Sequence, residues 1–223
     1  MTQFLCALLC AALAWGLPAV AAGPVPASDF ELHGQYETIT PPQPTPNPGK
    51  VEVIELFWYG CPHCVEIEPL LSRWAAIKPA NVDFVRMPAV FSHNRLWSLH
   101  AQAFYTAEAL GVFERMHKAM FDALHVTKRP LDTQERLRVL FKENGVNEAD
   151  FDRAWDSFAV QTRVRQATVL TERFGIDGVP AIVVNRKYRT SGSLTGSFAS
   201  LLKAVDALIQ REQAAPAAAS PAP

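Results

Sequence analysis

Cys61 and Cys64 stand three residues apart in the string Cys61-Pro62-His63-Cys64, which directly follows the apolar run Val51 to Gly60 and directly precedes a helical pattern. Two thiols at that spacing in a first helical turn can close a disulfide without backbone movement, so the chemistry they suit is dithiol–disulfide exchange. A sulfur at a helix start also faces unpaired N–H groups and the positive end of the helix dipole, which favour thiolate over thiol. Cys61 occupies the exposed N-cap position and is assigned as nucleophile. Cys64 lies one turn in, shielded, as the resolving thiol. Pro62 falls in the first turn, where its missing N–H costs nothing.

The neighbouring side chains sharpen this assignment. His63 adds partial positive charge and an N–H donor beside the Cys61 sulfur. Glu55 shares a strand face with Val53 and Phe57 and so carries a carboxyl group into an apolar layer, where burial raises its pKa and keeps it a proton carrier near neutral pH. Glu66 and Glu68 fall in the early turns of the helix and read first as dipole support. His93, His100, His117 and His125 read as surface or core histidines. The competing chemistry is half of a metal site, a copper carrier being its best version. A closed zinc site needs about four ligands, and the other two cysteines, Cys6 and Cys10, lie in the leader.

Residues 1–22 carry no charged side chain and end in small residues, the pattern of a signal peptide. No Lys or Arg precedes the apolar run, a departure from the usual signal. With the leader removed, Cys61 and Cys64 are the only cysteines of an exported protein. A bridge closing so small a loop restrains the unfolded chain little, so the pair is explained by reactivity.

The elements that must position the pair follow from hydrophobic periodicity. Residues 23–50 are proline-rich and extended, with room for a short edge strand between Phe30 and Thr40. Val51 to Tyr59 is apolar on both faces and reads as a central strand. Residues 62–77 form a helix that Pro69 should kink, and Asn81 to Met87 a second strand parallel to the first. Five helical stretches, Leu96 to Leu110, Val112 to Leu124, Thr133 to Asn144, Glu148 to Phe158 and Gln161 to Phe174, follow, with Asp132 and Asn147 as N-caps and Gly111 and Gly145 as breaks. Ala181 to Val184 and Lys187 to Thr190 form strands about the turn Asn185-Arg186, and Ser197 to Gln210 a closing helix. The expected fold is therefore α/β: a thioredoxin-like core, residues 51–92 and 176–211, split by a helical subdomain, residues 93–175, with a disordered Ala/Pro tail at 212–223.

Twenty-one basic side chains against 22 acidic ones leave a net charge of −1 and no basic field for nucleic acid.

Glu55-Leu56-Phe57-Trp58-Tyr59-Gly60-Cys61-Pro62-His63-Cys64, together with Gly178-Val179-Pro180, resembles the DsbA family of periplasmic thiol:disulfide oxidoreductases over about residues 50–210. Local sequence leaves Val179-Pro180 trans, since only about 5–6% of X-Pro bonds are cis. The resemblance instead implies a cis bond beside the cysteines, with the Val179 backbone hydrogen-bonding an extended substrate. It also implies that Glu55 is the buried acid near Cys64, that Glu68 lies near the site, and that the thiol is acidic and the disulfide oxidising. The function that follows is a dithiol oxidase of the periplasm, without a cofactor, acting as a monomer on unfolded exported proteins held at Trp58, His63 and Pro180. A DsbB-type membrane protein linked to quinone would reoxidise it. The alternatives are a reductase or isomerase of the same fold kept reduced, and a metal-binding or chaperone-like module without turnover.

Overall fold

A computed structural model describes residues 32–214. The expected leader, with Cys6 and Cys10, and residues 215–223 of the expected tail lie outside the described residues.

The sheet has five strands: β1 Glu37–Thr38, β2 Val51–Phe57, β3 Val82–Pro88, β4 Ala181–Val184 and β5 Tyr188–Ser191, in the spatial order β1-β5-β4-β2-β3. Every residue of β2 is buried, as a strand apolar on both faces requires. β3 joins it in parallel through helix α1, Pro62–Ile77, and β4 in antiparallel sense on its other side. Residues 185–187 connect the paired Val184 and Tyr188, with Asn185 and Arg186 turning the chain at φ of 49° and 54° and the Lys187 N–H donating to Val184 O at 3.0 Å. β1 is the short edge strand anticipated from the proline-rich segment, and pairs antiparallel with β5.

Strand alternation sorts the core into two layers. On one face Val51, Val53, Ile182 and Val184 pack with Ile67 and Leu71 of α1 and with Leu201, Val205 and Leu208 of the closing helix. Ile54, Leu56 and Val183 project the other way, into a cluster with Phe104, Met116, Phe151 and Phe174 of the inserted helices.

The insert is α2 Arg95–Ala109, α3 Phe113–Phe121, a π-helical turn Asp122–Val126, α4 Gln134–Glu143, α5 Glu148–Trp155 and α6 Phe158–Arg173. Gly111 and Gly145 break it at φ of 67° and 78°, positions open to glycine at little steric cost. Asn147 caps α5 as anticipated, accepting from the Ala149 and Asp150 N–H groups. Asp132 does not cap α4. Thr133 does, accepting from Arg136 N–H at 3.2 Å, while the Asp132 carboxylate pairs with the Arg136 side chain. After a single turn, α7 Gly192–Thr195, helix α8 spans Phe198–Ala214. Residues 212–214 are thus helix and not tail, held through Glu212, which accepts from Lys187 and Asn185.

Candidate active site

Chain geometry delivers Cys61 to the N-cap of α1, with extended backbone (φ −88°, ψ 119°), and the next residue, Pro62, opens the helix. The Cys61 N–H donates to Trp58 O at 2.9 Å and the Cys64 N–H to Cys61 O at 3.2 Å, which fixes the turn between strand and helix. Both cysteines are free thiols. Cys64 is fully buried, and Cys61, expected to be exposed, retains only 9% exposure because neighbouring walls rise around it.

The two thiols differ sharply in acidity. Cys61 is lowered from the ordinary 9 to about 6, chiefly because the Cys64 thiol donates to its sulfur. Backbone N–H groups of Cys64 and His63 add to this, while partial burial opposes it. The His63 charge is the weakest contribution, since the imidazole is exposed and turned to Glu66, with Nδ1 3.1 Å from the carboxylate. Cys64 is pushed the opposite way, first by burial and then by the adjacent Cys61 sulfur.

Opposite the sulfur, the Val179–Pro180 bond is cis, and the Cys61 thiol donates to the Val179 carbonyl at 3.3 Å. Clefts open on both sides of Val179. One, of about 560 Å³, runs between His63, Pro180 and Phe198 over a floor of serines and glycines. The other, of about 370 Å³, is walled by Trp58, Phe91 and Trp97 and reaches Cys61 and Pro62.

Beneath the motif, Glu55 is 1% exposed. Parallel register sets Arg86 of β3 directly beside it, with Nε 3.2 Å from Glu55 Oε2, and Arg86 reaches on to Glu68 of α1 at 2.6 Å. Burial raises Glu55 from 4.5 to about 8, the Glu68 charge adds to the rise, and Arg86 partly offsets it. Glu68 accepts from Arg86 and Ser72 and so joins a partly buried charge cluster with Glu55, beyond any support it lends the helix dipole.

The profile of a DSBA-like thioredoxin domain matches residues 52–200. Over 189 residues the chain is 39% identical to the thiol:disulfide interchange protein DsbA of Pseudomonas aeruginosa, covering 85% of this chain and 89% of that one. The chain belongs to the DsbA family. It is a thiol:disulfide oxidoreductase with the thioredoxin-like DsbA fold. A crystal structure of Pseudomonas aeruginosa DsbA superposes with a TM-score of 0.78 at 39% identity, covering 84% of this chain and 97% of that one. A variant of Proteus mirabilis DsbA, solved as a complex with a non-covalently bound peptide, superposes with a TM-score of 0.70 at 28% identity, covering 83% and 100%.

Within this DsbA-family site, the residues that sequence reading missed are histidines of the insert. His117 is buried and bridges two parts of the site: its Nδ1 lies 3.0 Å from the Tyr59 hydroxyl and its Nε2 3.4 Å from Glu68 Oε2. With the proton on Nε2 and not on Nδ1, the Tyr59 hydroxyl donates to the ring and the ring donates to Glu68. His125 donates from Nε2 to the Tyr59 carbonyl at 2.7 Å, tying the π-helical turn to the segment before Cys61. His100 is buried, lowered from 6.5 to about 4 mainly by burial, and stacks on Trp58 at 5.8 Å. Nothing in helical periodicity separates such histidines from solvated ones, because their partners lie on distant elements. Trp58 stacks on Trp97 at 4.5 Å, which makes the second cleft's wall rigid and aromatic.

Proposed function

We propose that this chain is a dithiol oxidase that passes the Cys61–Cys64 disulfide to unfolded exported proteins in the periplasm. The observation that carries the reading is the asymmetry of the thiols, with Cys61 lowered to about 6 and Cys64 raised by burial. In the first step a substrate thiolate attacks Cys61 Sγ, the Cys61–Cys64 bond breaks, and Cys64 leaves and takes a proton. In the second step another substrate thiolate attacks the substrate sulfur of the mixed disulfide, forming the substrate disulfide and releasing Cys61 as thiolate. A stabilised thiolate is a good leaving group, so the electrons run toward this protein. Two electrons have then passed to Cys61 and Cys64, and a quinone-linked membrane protein of the DsbB type returns the pair to the disulfide.

The surrounding residues have distinct parts in this scheme. Val179 presents the backbone edge along which an extended substrate pairs beside Pro180, and Trp58 and His63 bound the clefts that take its side chains. That the Proteus mirabilis relative was solved with a non-covalently bound peptide supports a peptide substrate. Glu55, protonated up to about pH 8 and near enough for its charge to act on Cys64, is the proton carrier for the resolving thiol. The protein works as a monomer and needs no cofactor, since the electrons reside in the two sulfurs.

Equilibration with glutathione redox buffers tests the direction. The expected potential lies well above that of thioredoxin, about −270 mV. A value as reducing as thioredoxin's would overturn the oxidase reading in favour of a reductase.

A further inference from the structure

Asp177 stands where the clefts around Cys61 meet. It lines the cleft shared by His63, Pro180 and Phe198, the aromatic cleft that reaches Cys61, and a smaller one walled by Arg189 and Leu194. The side chain is exposed, and among the described residues no donor or cation engages its carboxylate. Of the basic side chains on the same walls, His63 is engaged by Glu66 and Arg189 by Glu37, while His93, across the aromatic cleft, lies against the Phe91 ring. Ser191, Ser193 and Ser197 contribute hydroxyls without charge. An uncompensated negative charge therefore faces the space on either side of Val179, two residues along the chain from it.

Any segment whose cysteine reaches Cys61 beside Val179 brings its flanking side chains into these clefts. We propose that Asp177 is a specificity-determining residue that favours substrate segments with Lys or Arg next to the reacting cysteine and disfavours those with Asp or Glu. The proposal rests on the dithiol-oxidase reading and adds a substrate class to it. The attraction acts between exposed charges, so it amounts to a few-fold in rate and weakens as salt shortens the screening length.

The test uses the oxidised full-length protein and three dithiol peptides identical except at the residues flanking one cysteine, which are Lys, Glu or Gln. In the wild-type protein the ratio of second-order rate constants for single-turnover oxidation, Lys peptide over Glu peptide, is expected to be about fivefold at low ionic strength and to shrink as salt is added. Asp177→Asn brings the ratio close to one, Asp177→Lys inverts it, and Asp177→Glu preserves it. The ratio cancels any change in the reactivity of Cys61 itself, which would move all three peptides together. A ratio in Asp177→Asn equal to the wild-type ratio, or equal rates for the charged peptides in the wild type, overturns the proposal alone. Failure to oxidise the Gln peptide as well overturns the oxidase reading, and this proposal with it.

Discussion

The indole of Trp58 lies over Gly60 so closely that a Cβ on Gly60 would come within 2.4 Å of the ring carbons Cη2 and Cζ2. The ring has little freedom to withdraw, because it stacks on both Trp97 and His100 of α2. Gly60→Ala is therefore expected to push Trp58 out of its stack and to destabilise the fold by about 1–3 kcal/mol, the usual range for overpacking. Urea denaturation gives the loss, and the tryptophan emission of the folded variant reports the displaced ring. Unchanged stability and emission would show that the ring moves freely.

A second expectation concerns the origin of the acidic Cys61 thiol. Its largest cause is the Cys64 thiol, so Cys64→Ala is expected to raise the Cys61 pKa above about 6, whereas His63→Ala should move it less, His63 charge being the weakest contribution. Ultraviolet thiolate absorbance against pH measures both. The same shift enters the stability of the reduced protein: Cys61 is lowered in the folded state, so its contribution is complete above 9 and is lost as pH falls toward 6.

How far the sequence could be read depended on where each residue's partner lay. The strand–helix junction, α1 at residues 62–77 and the Asn185-Arg186 turn were legible because local periodicity and turn chemistry decide them. The placement of Glu55 in an apolar layer was legible as well, from alternation along one strand. The exposure of Cys61 was misjudged because the walls that cover it belong to the loops around Phe91 and Val179, far away in sequence. The partners of Glu68 lay beyond a local reading for the same reason, since Arg86 and His117 sit on a strand and an inserted helix; only the resemblance pointed to a place near the site. Asp132 lost the cap to Thr133 because an N-cap is fixed by backbone position, and one residue's displacement reassigns it.

Glu55 makes a prediction about pH. The unfolded chain releases this proton above about 4.5, whereas the folded protein keeps it to about 8, so between these values the folded state binds more protons. Stability is therefore lost as pH rises across that window. Glu55→Gln removes the dependence and leaves Arg86 its contact with Glu68. Urea denaturation at the two ends of the window is expected to show the variant gaining on the wild type toward pH 8, by the order of a few kcal/mol. Parallel pH profiles for the two proteins would mean that Glu55 is ionised throughout.

The link between Tyr59 and Glu68 through His117 can be separated from packing by a double-mutant cycle. His117→Leu leaves the Tyr59 hydroxyl buried without its 3.0 Å partner, and Tyr59→Phe leaves His117 Nδ1 in the same state. Each single change is expected to cost about 1–3 kcal/mol, since an orphaned buried polar group loses hydration without replacement. The double variant removes both ends of the bond, so its cost should fall below the sum of the two by about 0.5–3 kcal/mol. Additive costs in urea denaturation would show that the two rings merely pack. Because His117 also donates to Glu68, and Glu68 holds Arg86 beside Glu55, His117→Leu carries a consequence that Tyr59→Phe does not. With one donor fewer, Glu68 holds its negative charge less tightly, and the ionisation of Glu55 shifts with it. The pH dependence of stability is therefore expected to change in His117→Leu and to keep its wild-type form in Tyr59→Phe.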